Sequence, residues 1–327
     1  MFSAINLSAQ SDFDFRNYLV LGVEEAEDIA SIYLEPLSEG LLYGLTGAWN
    51  NTAQVKQKWE LDIAFVANGS FVPREKLSRD IDISAIENLE VLGGGTVISI
   101  PTILGSTESE VTFVATRDGE QFEFDAPTGI GLFSTNLLPN AFLQAHLGLP
   151  GNSEFSFRLF PKISIEDATL GVIGFGLKNE LTKSFGVLES FPLAISAFAA
   201  FTRLDADYDF ESVGFVSGDS QKVDASLNSW LFELLASTKF LVWNVYGGIG
   251  YVTGKSNYAV LGTYIITTEQ ETVQFENPFD VQGSISGFRG NIGGSVRLNR
   301  FRISLDYTLQ GFNNVALGVN YNIIRAK

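Results

Sequence analysis

Four acids at alternate positions, Asp205, Asp207, Asp209 and Glu211, form the run in this 327-residue chain whose spacing best suits ligand chemistry. On an extended strand, carboxylates two residues apart project from one side, and hard oxygen donors of that kind suit Ca²⁺. The run lacks a turn to make the carboxylates converge, so a solvated acidic surface outweighs this weak calcium candidate. His146 is the sole histidine. A general base needs an identifiable partner, and without one a packing or lumen role is favoured. With no cysteine and no placed histidine, neither a thiolate metal site nor a Ser-His-Asp arrangement can be assembled. The expectation is a protein that is not an enzyme and holds no cofactor. Gly171-Val172-Ile173-Gly174-Phe175-Gly176 and Gly93-Gly94-Gly95 are glycine-rich, but a phosphate loop needs a following helix and neither has one. Glycines at such places permit bends and close packing.

Composition narrows the class. An apolar fraction of 45% excludes a disordered chain. A net charge of -17 argues against binding nucleic acid, whose phosphates repel an acidic surface. Charged residues make up only 18%, against 27 Phe, 10 Tyr and 32 Gly. No run of about 18 residues is free of charges and turn residues, so no transmembrane helix is expected.

The elements that must position these residues follow from periodicity. Ala26, Ile29, Ala30, Tyr33, Leu34 and Leu37 recur at helical spacing within 23–45, behind the acids Glu24, Glu25, Glu27 and Asp28. Pro36 is expected to divide this segment into two short helices. From Trp59 the period becomes two: Trp59, Leu61, Ile63, Phe65 and Ala67 oppose Glu60, Asp62, Ala64, Val66 and Asn68. Phe301, Ile303, Leu305, Tyr307 and Leu309 oppose Arg302, Ser304, Asp306, Thr308 and Gln310. Similar alternation covers 173–180, 288–298 and 314–323, with further strands at 141–149, 153–161, 192–205, 223–237 and 240–253. In 192–205 and 223–237 it is less tidy, and a bulge that switches faces is expected there. The strands are long enough to cross a bilayer tilted. Trp59, Phe71, Trp243, Tyr251, Phe301 and Tyr321 near their ends suit its interfaces. The apolar faces carry no charge, whereas the polar faces carry Glu60, Asp62, Glu154, Arg158, Lys178, Glu180, Arg289, Arg297, Arg302 and Asp306. Charge facing mid-bilayer costs roughly 2–4 kcal/mol for Arg or Lys, so the polar face is the lumen. The expected fold is all-β: an antiparallel transmembrane β-barrel of about 10–14 strands with a short N-terminal helical hatch.

Tight turns at 149–152, 237–239 and 298–300 are expected to face the periplasm. Long polar loops at 72–94, 205–222 and 254–281 would face outside. Ten strands fit if 254–281 is one outer loop, and twelve or fourteen if 95–135 adds hairpins. Residues 1–9 read either as the end of a secretory signal peptide or as a frayed tail. Residues 10–57 would be the hatch and 58–327 the barrel.

The run Tyr33-Leu34-Glu35-Pro36-Leu37, Gly40, Gly44-Leu45 and Gly47-Ala48-Trp49-Asn50-Asn51-Thr52-Ala53 resembles the start of an uncharacterised outer-membrane barrel family of the Bacteroidota. The likeness continues through Pro139-Asn140-Ala141-Phe142-Leu143-Gln144, Gly148-Leu149-Pro150, Phe160-Pro161-Lys162 and Tyr307-Thr308-Leu309-Gln310-Gly311. That family is similar in layout to the long-chain fatty-acid transporter (FadL-like) barrels, which implies a lumen plugged by a helical hatch but licenses no substrate. The chain departs from the usual barrel ending by stopping at Arg325-Ala326-Lys327. A location in the bacterial outer membrane follows, with membrane lipid and lipopolysaccharide as surroundings. Two functions are expected to compete. In the first, a hydrophobic small-molecule ligand passes a pocket made by Leu41, Leu42, Tyr43, Trp49 and Asn50. In the second, a plugged barrel serves an envelope protein partner as an accessory subunit. The carboxylates Glu60 and Asp62 are expected to pair with Arg302 or Arg289.

Overall fold

The long period-two segments all become strands, and ten of them close into one antiparallel barrel in the computed structural model. They are β1 (Leu61–Phe71), β2 (Leu137–Leu149), β3 (Ser153–Ile165), β4 (Ala168–Glu180), β5 (Leu193–Asp209), β6 (Lys222–Thr238), β7 (Trp243–Leu261), β8 (Phe279–Leu298), β9 (Phe301–Leu309) and β10 (Asn314–Ile324). Each pairs with its neighbour in sequence, and β10 returns to β1, so no edge is left open. The structure describes residues 15–131, 136–165, 167–185, 192–210 and 216–324. The possible signal remnant at 1–9, Glu211 and the chain ending at 325–327 lie outside the described residues.

The barrel's outer face is an apolar belt. Ile63, Phe65, Leu143, Phe175, Leu234, Ile249, Ile292, Leu305 and Leu317 all point outward and are exposed, and Phe288 is 87% exposed. Aromatic rings mark the belt's edges: Phe240 against Trp243 and Phe301 against Tyr321 at one end, Tyr251 against Phe288 further up. The eight-residue rise from Trp243 to Tyr251, at ~3.3 Å per residue and ~40° tilt, spans roughly 20 Å, close to the apolar band of a bilayer-spanning barrel. Beyond that level β5 to β8 continue with polar and charged outward residues such as Arg203, Asp205 and Lys255.

Several expectations need correction. Ten strands suffice because 95–135 adds none to the barrel. Two small sheets form instead, one pairing 78–82 with 97–101, the other joining 89–91, 112–117 and 120–125. The acids Asp118, Glu120, Glu123 and Asp125 lie on that second sheet's hairpin. The stretch 254–281 is not a single loop: β7 runs to Leu261, and 263–267 pairs with 272–276 before β8 begins. Likewise the acids 205–209 continue β5. No register shift occurs between β5 and β6. Their alternation is untidy because the inward face is itself apolar (Ala194, Phe198, Ala200, Leu231, Leu235), where it meets a segment that fills the lumen. Shifts occur instead at Leu61/Asp62 and at Phe160/Ile163.

Helix α1 (Val23–Gly44) is continuous through Pro36. A helix-interior proline removes one backbone bond and clashes, at about 3 kcal/mol, but here both faces of the helix have partners. Ala26, Ile29, Ala30, Tyr33 and Leu42 are buried against barrel and cap. The cap covers the long-loop end. Tyr18, in a 3-10 helix (Phe15–Val20), lies edge-on to Phe124 at 5.1 Å and to Phe113 at 6.0 Å. The Tyr33 hydroxyl donates to Thr128 O at 2.6 Å.

Candidate functional site

Below Gly44 the chain leaves the helix through a turn at 45–47 and descends through the barrel as an irregular segment to residue 57. An irregular chain without a partner leaves its N–H and C=O groups unpaired, and burying them so would cost several kcal/mol. The barrel wall supplies the partners. The Arg158 guanidinium donates to Leu45 O at 2.8 Å and to Gly47 O at 2.7 Å. Arg289 donates to Thr46 O at 2.9 Å, Gln144 to Ala48 O at 3.0 Å and Asn244 to Asn51 O at 3.2 Å. Lys178 donates to Thr52 O at 3.3 Å, and the Ser196 hydroxyl donates to Ala53 O. The segment's own donors find wall acceptors: Val55 N–H on Glu180 at 2.9 Å, Lys56 N–H on Glu154 at 3.0 Å and Ala53 N–H on the Ser237 hydroxyl at 3.0 Å.

The charges recruited for this task are themselves balanced. Lys178 and Glu154, partners across β3 and β4, meet at 2.9 Å, and Arg289 meets Glu233 at 3.5 Å. Arg158, fully buried, instead lies 4.0 Å from the Trp49 ring centre and 4.3 Å from that of Phe142, where the ring faces attract a cation. Gly174 and Gly176 make room for Trp49. A Cβ at Gly174 would come within 3.1 Å of the indole, and one at Gly176 within 3.4 Å.

The candidates of the transport reading pack rather than line an open pocket. Leu42 is fully buried, Tyr43 stacks on Phe312 at 6.0 Å, and Leu41 packs between two apolar clusters. Asn50 accepts from Lys178 at 3.3 Å. Two cavities flank the segment at Trp49 and Asn50, of about 20 and 10 Å³, each room for about one water.

Among the charges named from sequence, Arg158 and Arg289 serve the segment directly, and Asp306 accepts from Thr308 at 3.1 Å. Asp62 does not pair with an arginine. Its salt bridge is with Lys56 of the lumen segment, and it also accepts from Asn322 at 2.7 Å. Glu60 accepts from Asn322 at 2.6 Å and from Gln57 N–H at 3.0 Å. The segment brings its own lysine past these carboxylates, a partner that alternation along the wall cannot reveal. Arg297 and Arg302 stand lower, at the short-turn mouth. Glu233, inside the apolar run Trp230-Leu231-Phe232-Glu233-Leu234-Leu235, was missed; a charge at an inward position of such a run is the signal.

His146 has the neighbours that the sequence did not show: Ser156 Oγ at 2.8 Å and Glu154 Oε1 at 3.6 Å. Both lie at the same ring nitrogen, Nδ1. A relay needs nucleophile and carboxylate on opposite nitrogens, which this trio does not present. The acid run is split among bases. Arg203 grips Asp205 at 2.7 to 2.9 Å, and Lys162 meets Asp207 at 3.2 Å. No group of three metal-ligating side chains is found among the described residues.

Among solved structures, the chain is similar to the Ail attachment invasion locus protein of Yersinia pestis, with 9% identity, TM-score 0.28, and 82% of this chain and 100% of that one covered. It is similar to the translocator domain of the autotransporter NalP from Neisseria meningitidis, with 9% identity, TM-score 0.30 and coverage of 88% and 94%. The P. putida toluene transporter TodX gives 9% identity, TM-score 0.19 and coverage of 82% and 91%. Likeness at this level assigns no ligand or activity. No curated protein matches. A family model, described as a family of unknown function (DUF6588), matches residues 1–323.

Proposed function

We propose, for a chain that belongs to the family of unknown function DUF6588, that the protein is a sealed outer-membrane barrel serving as an anchor or accessory subunit of an envelope assembly. Barrels that cross bilayers with strands leave no backbone group unsatisfied in lipid, and the charge-free belt supports that placement. The observation that carries the reading is the lumen segment 45–57, whose carbonyls are bonded in succession to Arg158, Arg289, Gln144, Asn244 and Lys178. Passage of a hydrophobic molecule would need an open apolar route, and this interior is occupied, its apolar parts packed by α1, Trp49 and Ala53. The serine, histidine and glutamate in the lumen serve packing, so no catalytic role is proposed, and no cofactor.

Purified protein in liposomes tests the reading. Uptake of labelled hydrophobic compounds should match that of empty liposomes, and planar bilayers should show no stepwise conductance. Extraction in mild detergent should retain a stoichiometric envelope protein. Uptake above the empty control would replace this reading with hatch-gated passive transport. A lone monomer after mild extraction would remove the accessory role.

A further inference from the structure

The short-turn mouth of the barrel holds a cavity of about 230 Å³ beneath the lumen segment, lined by Arg297, Arg300, Arg302, Lys56 and Lys183 among others. Arg297 and Arg302 are directly opposite one another across β8 and β9. Like charges so placed destabilise a sheet unless something lies between or beside them. Lys56 and Lys183 have carboxylate partners in Asp62 and Glu180. Among the described residues, no carboxylate lies within salt-bridge distance of Arg297, Arg300 or Arg302; Arg300 makes only a long 3.5 Å bond, to Ile323 O. This is an unusual concentration in a chain of net charge -17. Two carboxylates share the cavity, but Asp62 is taken by Lys56 and Asn322, and Glu60 by Asn322 and Gln57 N–H, so basic groups remain in excess. The cavity also borders Phe301 and Leu241, both exposed at the belt's lower edge, so it opens where headgroups of the facing leaflet would lie.

We propose that this mouth binds a phosphate group, held by the planar guanidinium forks of Arg297, Arg300 and Arg302. Arginine forks match phosphate oxygens two at a time, and the cavity is larger than a bare phosphate. The same chemistry could come from an anionic lipid headgroup or from a free phosphate. The site does not depend on the barrel being sealed.

The test uses the full chain in detergent and in nanodiscs. Calorimetric titration with inorganic phosphate, against chloride at matched ionic strength, reads the free-phosphate arm. Native mass spectrometry from phosphatidylglycerol versus phosphatidylcholine nanodiscs reads the lipid arm. Saturable binding in either arm, weakened at least tenfold in Arg297→Gln/Arg302→Gln and in Arg300→Gln but unchanged in Arg203→Gln at the opposite end, supports the site, and the responding arm identifies the source. Because the double variant could fold poorly, the turn variant Arg300→Gln and heat-modifiability on gels serve as controls. Binding no better than chloride together with no lipid preference overturns the proposal. So does binding that survives all the mouth variants.

Discussion

One lumen is filled in two ways. Its upper part holds α1, which meets the wall with Ala26, Ile29, Ala30 and Leu42 in an apolar cluster. Its lower part holds the irregular segment 45–57, which meets the wall through Arg158, Arg289, Lys178 and Gln144. The difference lies in the backbone. A helix satisfies its own N–H and C=O groups, so the wall around it needs only apolar shape. Past the turn at 45–47, whose N–H groups bond the helix end, an irregular chain satisfies few of its own groups. Its wall must supply polar partners beside the apolar residues that meet Trp49 and Ala53. The charges around the segment therefore follow the conformation of the chain they surround.

Arg158→Ala should have the largest effect. It strands Gly47 O, leaves Leu45 O with only the Thr202 hydroxyl at 3.2 Å and removes the cation from Trp49 and Phe142, a loss of about 2–4 kcal/mol from buried hydrogen bonds to a charged donor and the ring contacts. Denaturant unfolding in detergent gives the size. Hydrogen exchange should show protection vanishing over 45–57 while α1 keeps its own, and equal loss in both would break the comparison. Leu42→Ala tests the other half. A fully buried leucine truncated in an apolar cluster costs about 2–4 kcal/mol, and here the exchange should rise in α1 while the lower segment stays protected.

The smallest effect is expected where α1 meets the cap. Arg79 bonds Glu35 at 2.9 Å, and Lys76 lies 3.3 Å from it. Partial burial pushes the Glu35 carboxyl up, but the Arg79 hydrogen bond and the Lys76 ammonium outweigh it and hold the group below its ordinary value. A carboxylate lowered by folding contributes stability that is present above its unfolded pKa of about 4.3 and lost as pH falls through the lower folded value. Because Glu35 is nearly half exposed, the contribution is below about 1 kcal/mol. Stability of the wild type should fall more than that of Arg79→Gln between about pH 5 and pH 3, and parallel pH curves would remove this contact from the account.

The barrel was legible because lipid and lumen impose opposite chemistry on alternate residues of one strand. Ile63 and Asp62, or Leu305 and Asp306, declare their sides by type alone. β5 and β6 were harder to read, since Phe198 and Leu231 face a lumen segment that is itself apolar at Trp49 and Ala53. Pro36 misled because local propensity forbids what a helix buried at that residue tolerates. Charge pairing was the least readable feature: Lys56 reaches Asp62 from the segment, and Glu233 reaches Arg289 from two strands away in the barrel order.

The sequence alone determined the bilayer-level part of the strands, the facing of all but β5 and β6, and the absence of charge from the belt, because period-two patterning is a local consequence of the pleat and needs no partner to be seen. Which wall residue answers which carbonyl of 45–57 was decided by the closed barrel. Hydrogen bonds between residues more than a hundred positions apart, such as Arg158 to Leu45, exist only once β1 and β10 have met and fixed the register around the ring.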